Sequence, residues 1–323
     1  MEAISQALFT VGTIVLSFAF AATVGHAVML ANGRRLAAAG AAMAGVAGAA
    51  GVRTAQPAWA GVASGSFVES QAAIAAAGPT DYAAPSPLSG AARWLTLVAF
   101  AALVASMTIR AVIVGRGPWG NLFEFCVAFA TSILFGYLVL ARRYPIRSIA
   151  FIPVGVSLLL ALYASSLPHE INQLVPALQN PPLLTIHVGL AMLSYGIFAT
   201  SFAAGIAYLV QGKTDRYPWL PSHRVLDSVA YRAVIIGFPI FATMIILGSW
   251  WASIAWSRYW GWDPKETSAL VTWLVYAIYL HARNQRAWAG RPAALLLVVG
   301  FVMVLVTLSG SLWFSGLHAY SGL

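Results

Sequence analysis

GSWWASIAWSRYWGWDPKETSALVTWLVYAIYLHAR, residues 248–283, decides how this chain folds. Trp250, Trp251, Trp256, Trp260 and Trp262 fall within 13 residues, with Tyr259 among them. No helical or strand period puts all of these rings in one core. Indoles offer large apolar faces and one N–H donor each, so a surface this aromatic reads as a binding surface for something flat, large and mostly apolar. Asp263, Pro264, Lys265 and Glu266 then carry the pattern of a helix start: Asp263 as N-cap, Pro264 at the first helical position, and Glu266 reaching back to the cap. Capping and ligand-holding are compatible readings of Asp263 and Glu266. The apolar run after them, from about 267 to 283, is long enough for a membrane crossing.

Composition extends that reading outward. The 323 residues are 60% hydrophobic and 8% charged, with a mean hydropathy of +0.80, against roughly 25% charged residues in a soluble domain. This excludes a soluble globular enzyme and marks an all-α, polytopic transmembrane helix bundle. The net charge of +9 belongs to loop topology rather than to nucleic-acid binding, because Lys and Arg gather on the cytoplasmic side of membranes.

Apolar segments at about 8–31, 92–114, 120–140, 148–165, 184–211, 231–249, 267–283 and 292–314 give about eight spans with both termini extracytoplasmic. Under that topology fourteen Lys and Arg residues fall on the cytoplasmic side, and only Arg110, Arg116, Arg258 and Lys265 fall outside. The tryptophan segment 248–266 then faces outward. No basic residue precedes the first span and Glu2 stands at its front, which reads as a retained helix rather than a cleaved signal. The chain divides into a first span (1–35), an Ala/Gly/Pro-rich cytoplasmic loop (36–91) and a seven-span core (92–323).

The six histidines sort by depth. His187 lies about one turn into the fifth span and His318 just past the eighth, both on the face of the tryptophans. Either one alone reads as an interfacial polar residue; together around that aromatic surface they match a bis-histidine haem site with indoles packing on the porphyrin. His281 lies fifteen residues beyond Glu266 on one helix, about 22 Å toward the other side, with Leu270, Leu274 and Ala277 marking the face between the two levels. An ionisable group at that depth is a functional candidate. His26 is at a similar depth, either paired with His281 or hydrogen-bonded to a neighbouring helix. His169 and His223 read as solvated loop residues. Arg258 and Lys265 are the cations nearest the aromatic site, as partners for carboxylates or as solvated interface charges. The single cysteine, Cys126, lies inside a span.

Several motifs carry a resemblance: Asn121-Leu122-Phe123-Glu124, Leu174-Val175-Pro176-Ala177-Leu178, the run from Trp251 to Glu266, and Tyr279-Leu280-His281-Ala282-Arg283. With them the chain, over roughly 92–323, resembles the CcsA/ResC family of system II cytochrome c biogenesis, the WWD haem-handling membrane proteins. That family usually has Gly after the tryptophan matching Trp256, where this chain has Ser257. The Ala-rich loop has no family counterpart.

The resemblance implies that His187 and His318 ligate an outer haem, held by Trp251, Trp256, Trp260, Trp262, Asp263 and Glu266, and that His281 ligates haem at an inner site. It implies haem b as transported substrate, a CcsB/ResB-type membrane partner that supplies the other inner ligand in place of His26, and apocytochrome c presenting Cys-x-x-Cys-His. Thiol-reducing partners are implied as well, no residue acts as nucleophile, and the role of Glu124 is open. The setting is the bacterial cytoplasmic membrane, or a thylakoid membrane in a plastid. A haem exporter without lyase activity, and a pore or quinone-site subunit whose aromatics form an interfacial belt, are the alternatives.

Overall fold

The computed structural model describes residues 1–47, 87–171, 181–283, 285, 288, 290–313 and 316–318. Among these the chain is helical throughout: α1 Glu2–Ala47, α2 Pro87–Val114, α3 Leu122–Ala141, α4 Phe151–Ser165 after a 3₁₀ turn Arg147–Ile149, α5 Pro181–Gln211, α6 His223–Trp256, α7 Pro264–Arg283 and α8 Arg291–Trp313.

Seven of these helical segments are long and apolar enough to cross a membrane. The exception is α7, which at 20 residues has the length but carries Lys265, Glu266, Thr267, Ser268 and Thr272 in its first half and closes on His281 and Arg283. Its buried stripe is itself polar, with Ser268, Thr272, Tyr276 and Tyr279 facing inward. The Thr272 hydroxyl lies 3.0 Å from that of Thr307 on α8, and the Tyr276 ring stacks on Phe198 at 3.8 Å. This helix is held by the bundle rather than by lipid.

The largest differences from the sequence reading are in α1 and α6. Helix α1 continues to Ala47, past the loop start at 36, because an alanine run is the strongest helix former there is; the remainder of that loop, 48–86, lies outside the described residues, as does the motif at 174–178. Helix α6 runs on through Trp256 instead of ending near 249. Nothing between Trp250 and Trp256 breaks a helix, and the end comes at Ser257, whose left-handed backbone (φ 56°, ψ 26°) forms the C-cap. Glycine adopts that conformation without a Cβ penalty, so Ser257 carries a cost there that glycine would not.

Helices α3 and α5 form the centre. A Cβ on Gly196 of α5 would run into the Ser132 carbonyl of α3, so the two backbones touch, as small residues permit between membrane helices. On one side α1 packs against α2 and α4, and α4 against α3; on the other, α6 packs on α5 and α7, and α8 on α5 and α7.

The joint between α2 and α3 is ionic. Arg110 and Glu124, each 1% exposed, meet at 2.5 Å. The second oxygen of Glu124 accepts the Gly120 N–H at 2.6 Å, and Arg110 also donates to the His169 carbonyl. Asn121 caps α3 by accepting the Glu124 N–H at 2.9 Å. Glu124 therefore fastens two helices together. Removing it leaves a buried guanidinium uncompensated, which costs about 3–5 kcal/mol. Glu124→Ala is expected to lower the melting temperature of the detergent-solubilised protein sharply, with an Arg110→Met/Glu124→Met double variant recovering most of the loss; a Glu124→Ala variant of unchanged melting temperature contradicts this.

Candidate functional site

Where α6 ends and α7 begins, a cavity of about 1000 Å³, counting its open mouth, lies among α3, α5, α6, α7 and α8. Its walls include Trp119, Trp251, Trp256 and Trp260, with His187 and His318 on the lining.

His187 is placed by α5, which begins at Pro181. Its ring fills the space beside Gly248 of α6: a Cβ there would lie 2.5 Å from His187 Cε1, so the close approach requires glycine. His187 Nδ1 donates to the Met244 carbonyl at 2.9 Å, and the ring lies within 9° of parallel to Trp251. Trp251, only 2% exposed, is edge-on to Trp256 with centroids 4.7 Å apart. His318 meets both rings, at 5.9 Å from Trp251 and 4.9 Å from Trp256. One buried indole thus touches both imidazoles.

His318 is placed by Asp263. The carboxylate accepts from His318 Nδ1 at 2.7 Å and from the Leu317 N–H at 2.6 Å, and it caps α7 by accepting the Lys265 N–H at 2.9 Å. Glu266 completes the capping box, its Oε2 accepting from Gly261 N–H at 2.8 Å and Asp263 N–H at 3.3 Å. Burial by itself would raise the Asp263 pKa; the hydrogen bond and charge of His318, with the two backbone N–H groups, outweigh it and hold the carboxyl down at about 2.

The turn between α6 and α7 sorts the aromatic rings into two sets. Trp262 has φ 56°, a strained region for a bulky residue. That twist sends Asp263 inward and Trp262 outward, 70% exposed, touching Trp260 edge-on at 5.9 Å.

Of the residues singled out in the sequence, His187, His318, Trp251, Trp256, Trp260 and Glu266 line one cavity. Asp263 stands behind His318 and Trp262 faces away from the cavity. Lys265 lines it, with Nζ 5.1 Å from the Phe125 ring centroid, whereas Arg258 is exposed. His281 is exposed near the far end of α7, its Nε2 2.9 Å from Gln285 Nε2, and Leu274 on the connecting face points outward. His26 is buried in a different cavity among α1, α2, α3 and the 3₁₀ turn before α4. Trp119 and Phe125, which the sequence did not single out, complete the aromatic wall; the sole cue was a lone tryptophan beside the Asn121 cap. The indole N–H groups of Trp119 and Trp251 are buried without a hydrogen-bond partner among the described residues.

The chain matches the family described as "Cytochrome C assembly protein" over residues 119–318. The match begins at Trp119 and ends at His318, both of which line the cavity. It is 33% identical over 263 residues to the "Cytochrome c biogenesis protein CcsA" of Prochlorococcus marinus (strain MIT 9301), covering 72% of this chain and 85% of that one. The proteins of that description from Chlamydomonas reinhardtii and Guillardia theta are 36% identical over 231 residues and 33% over 255 residues; they cover 68% and 71% of this chain, and 65% and 84% of their own lengths.

The depressed Asp263 carboxyl sets a pH dependence. Its contribution to stability is present above the ordinary value near 3.8 and is lost as pH falls through about 2. The melting-temperature gap between wild type and Asp263→Asn is expected to be constant from pH 7 down to about 4 and to close toward pH 2. A gap that closes near neutral pH contradicts the assignment.

Proposed function

The chain belongs to the CcsA family of cytochrome c assembly proteins and is an integral membrane protein with a role in cytochrome c maturation, and from that premise we propose that its tryptophan-walled cavity holds haem b, the exported substrate, for covalent attachment to apocytochrome c. The observation that carries this reading is the arrangement of the two histidines. Each imidazole uses Nδ1 in a hydrogen bond, His187 to a backbone carbonyl and His318 to a carboxylate. Such a partner fixes the tautomer and ring orientation of a metal-bound histidine, so iron is taken at Nε2 of each. Trp251, Trp256 and Trp260 supply porphyrin-sized apolar faces, and Trp119, Trp251 and Lys265 supply donors for carboxylates.

The attachment chemistry is an addition. A cysteine sulfur of the Cys-x-x-Cys-His segment bonds to a vinyl carbon, and the thiol hydrogen ends on the neighbouring carbon, so no electron acceptor is consumed. What the protein contributes is position: a haem gripped at its iron, with an edge toward the docked peptide, turns an encounter between two molecules into an effectively intramolecular step. No nucleophile of this chain takes part. Cys126, its single cysteine, is buried in α3, so reduced substrate thiols come from separate thiol-reducing partners. The chain acts with a CcsB/ResB-type partner as a system II synthase, with the tryptophan face extracytoplasmic in a bacterial cytoplasmic or thylakoid membrane. His281, near the opposite end of α7, serves as haem ligand on the inner side, with its second ligand from the partner.

The test is maturation of a reporter cytochrome c in cells lacking any other maturation system, expressing this chain with its ResB-type partner. Wild type is expected to mature the reporter. His187→Ala and His318→Ala are each expected to abolish maturation, with partial recovery on adding imidazole. Undiminished maturation in both variants contradicts the assignment, and a wild type that binds haem without maturing the reporter identifies an exporter that is not a lyase.

A further inference from the structure

A second cavity, of about 700 Å³ counting its open mouth, lies among α1, α2, α3 and the 3₁₀ turn before α4. Helix α3 separates it from the aromatic cavity: Phe125 in its first turn lines one, and Leu138 and Ala141 in its last turn line the other, about 20–24 Å apart along the axis. The chemistry of the two is different. Among the described residues no tryptophan and no carboxylate lines the second cavity; its walls hold Arg93 of α2, Arg142 at the C-cap of α3 and Arg147 of the 3₁₀ turn. Below them lie His26, 2% exposed, and the Tyr137 hydroxyl-bearing ring. Thr23 and Thr96 give their hydroxyl protons to helix carbonyls, Phe20 and Ala92, each at 2.7 Å.

Arg93 and Arg142 are exposed and Arg147 is half-buried, and three cations lining one space favour an anion among them. Three arginines elsewhere have their anion within the protein: Arg283 pairs with Asp227, and Arg110 and Arg116 with Glu124. Among the described residues no carboxylate lies within ion-pair distance of Arg93, Arg142 or Arg147. A further observation fixes the kind of anion. The cavity sits against α1 and α2, two of the least buried helices in the bundle. Beside its mouth Trp94, 70% exposed, follows Arg93, and Val28 and Met29 face outward just past His26. An outward tryptophan next to arginine marks the headgroup level of a membrane, and the exposed aliphatic residues offer a surface for acyl chains.

We propose that this cavity binds the phosphate headgroup of an anionic phospholipid, gripped by Arg93, Arg142 and Arg147. Guanidinium forks match phosphate oxygens in bidentate geometry, and basic pockets between membrane helices recognise anionic headgroups on this principle. His26 is then a polar floor of the lipid site and not an iron ligand, in keeping with the lack of indole faces around it. The bound lipid neutralises the basic end of the α1–α2 pair and fastens it to α3 and α4.

The experiment is native mass spectrometry and tryptophan-fluorescence melting of the full detergent-purified chain, titrated with phosphatidylglycerol, phosphatidylcholine or glycerol 3-phosphate. Phosphatidylglycerol is expected to give one saturable adduct and a raised melting temperature, and phosphatidylcholine neither. Arg147→Gln is expected to weaken the adduct about fivefold and Arg93→Gln/Arg147→Gln about 25-fold, while Arg147→Lys, which keeps the charge but not the fork, is expected to fall between wild type and Arg147→Gln. An undiminished phosphatidylglycerol adduct in the double variant overturns the site. Binding of glycerol 3-phosphate as tight as that of the lipid keeps the oxyanion chemistry but overturns the lipid as its source. Loss of co-purified haem in His26→Gln with the lipid adduct intact overturns the assignment in favour of haem.

Discussion

The Asp263 carboxylate joins three pieces of chain that are otherwise far apart. It caps α7 through the Lys265 N–H, holds the segment after α8 through the Leu317 N–H, and orients the His318 ring. Each of these bonds is charge-assisted, and a carboxylate with several donors stays ionised even when buried. The turn from Ser257 to Trp262, with left-handed backbone at both residues, is what brings that carboxylate inward. Strain at Trp262 is sustained because the capping box and the His318 contact are bought by it. The cavity wall on the α6 side, the start of α7 and the second imidazole all follow from this one group.

Most of the fold was legible in the sequence because lipid leaves the backbone few options: apolar runs of about 20 residues must be helices. Asp263 and Glu266 were legible as a capping box because that signal is local. The tryptophans were legible as one aromatic cluster, but their division was not. Trp251, Trp256 and Trp260 face the cavity while Trp262 faces away, because a single positive φ redirects the chain, and no side-chain pattern announces it. Trp119 was missed for the opposite reason: it lies far from the cluster in sequence and joins it only through the packing of α3 against α5. The depth of His281 was readable from helix rise, but its outward azimuth depends on which face of α7 the bundle takes. That face proved to be the polar one, with Thr272 and Tyr276 inward, where hydropathy alone favours Leu270 and Leu274.

The two ends of the bundle differ in how charge is satisfied. The chain has nine acidic residues, and most of those described are committed: Glu124 to Arg110, Asp215 to His223, Asp227 to Arg283, Asp263 to His318 and Glu266 to the turn before α7. At the aromatic end this leaves a cavity whose charges are placed by hydrogen bonds and whose walls are apolar, suited to a large planar molecule with a metal at its centre. At the other end it leaves Arg93, Arg142 and Arg147 around a cavity without a carboxylate. On the proposed reading, orientation of haem at one end and attachment to an anionic membrane at the other are separable properties of one scaffold, connected through α3.

The most direct measurement is the low-temperature electron paramagnetic resonance spectrum of the ferric protein, purified with its partner after haem feeding and compared with His187→Ala and His318→Ala. The account predicts a low-spin signal of a bis-imidazole haem in the wild type that is converted to high spin, or lost, in each single variant. A low-spin signal unchanged in both variants, or a wild type that takes up no haem, would contradict it.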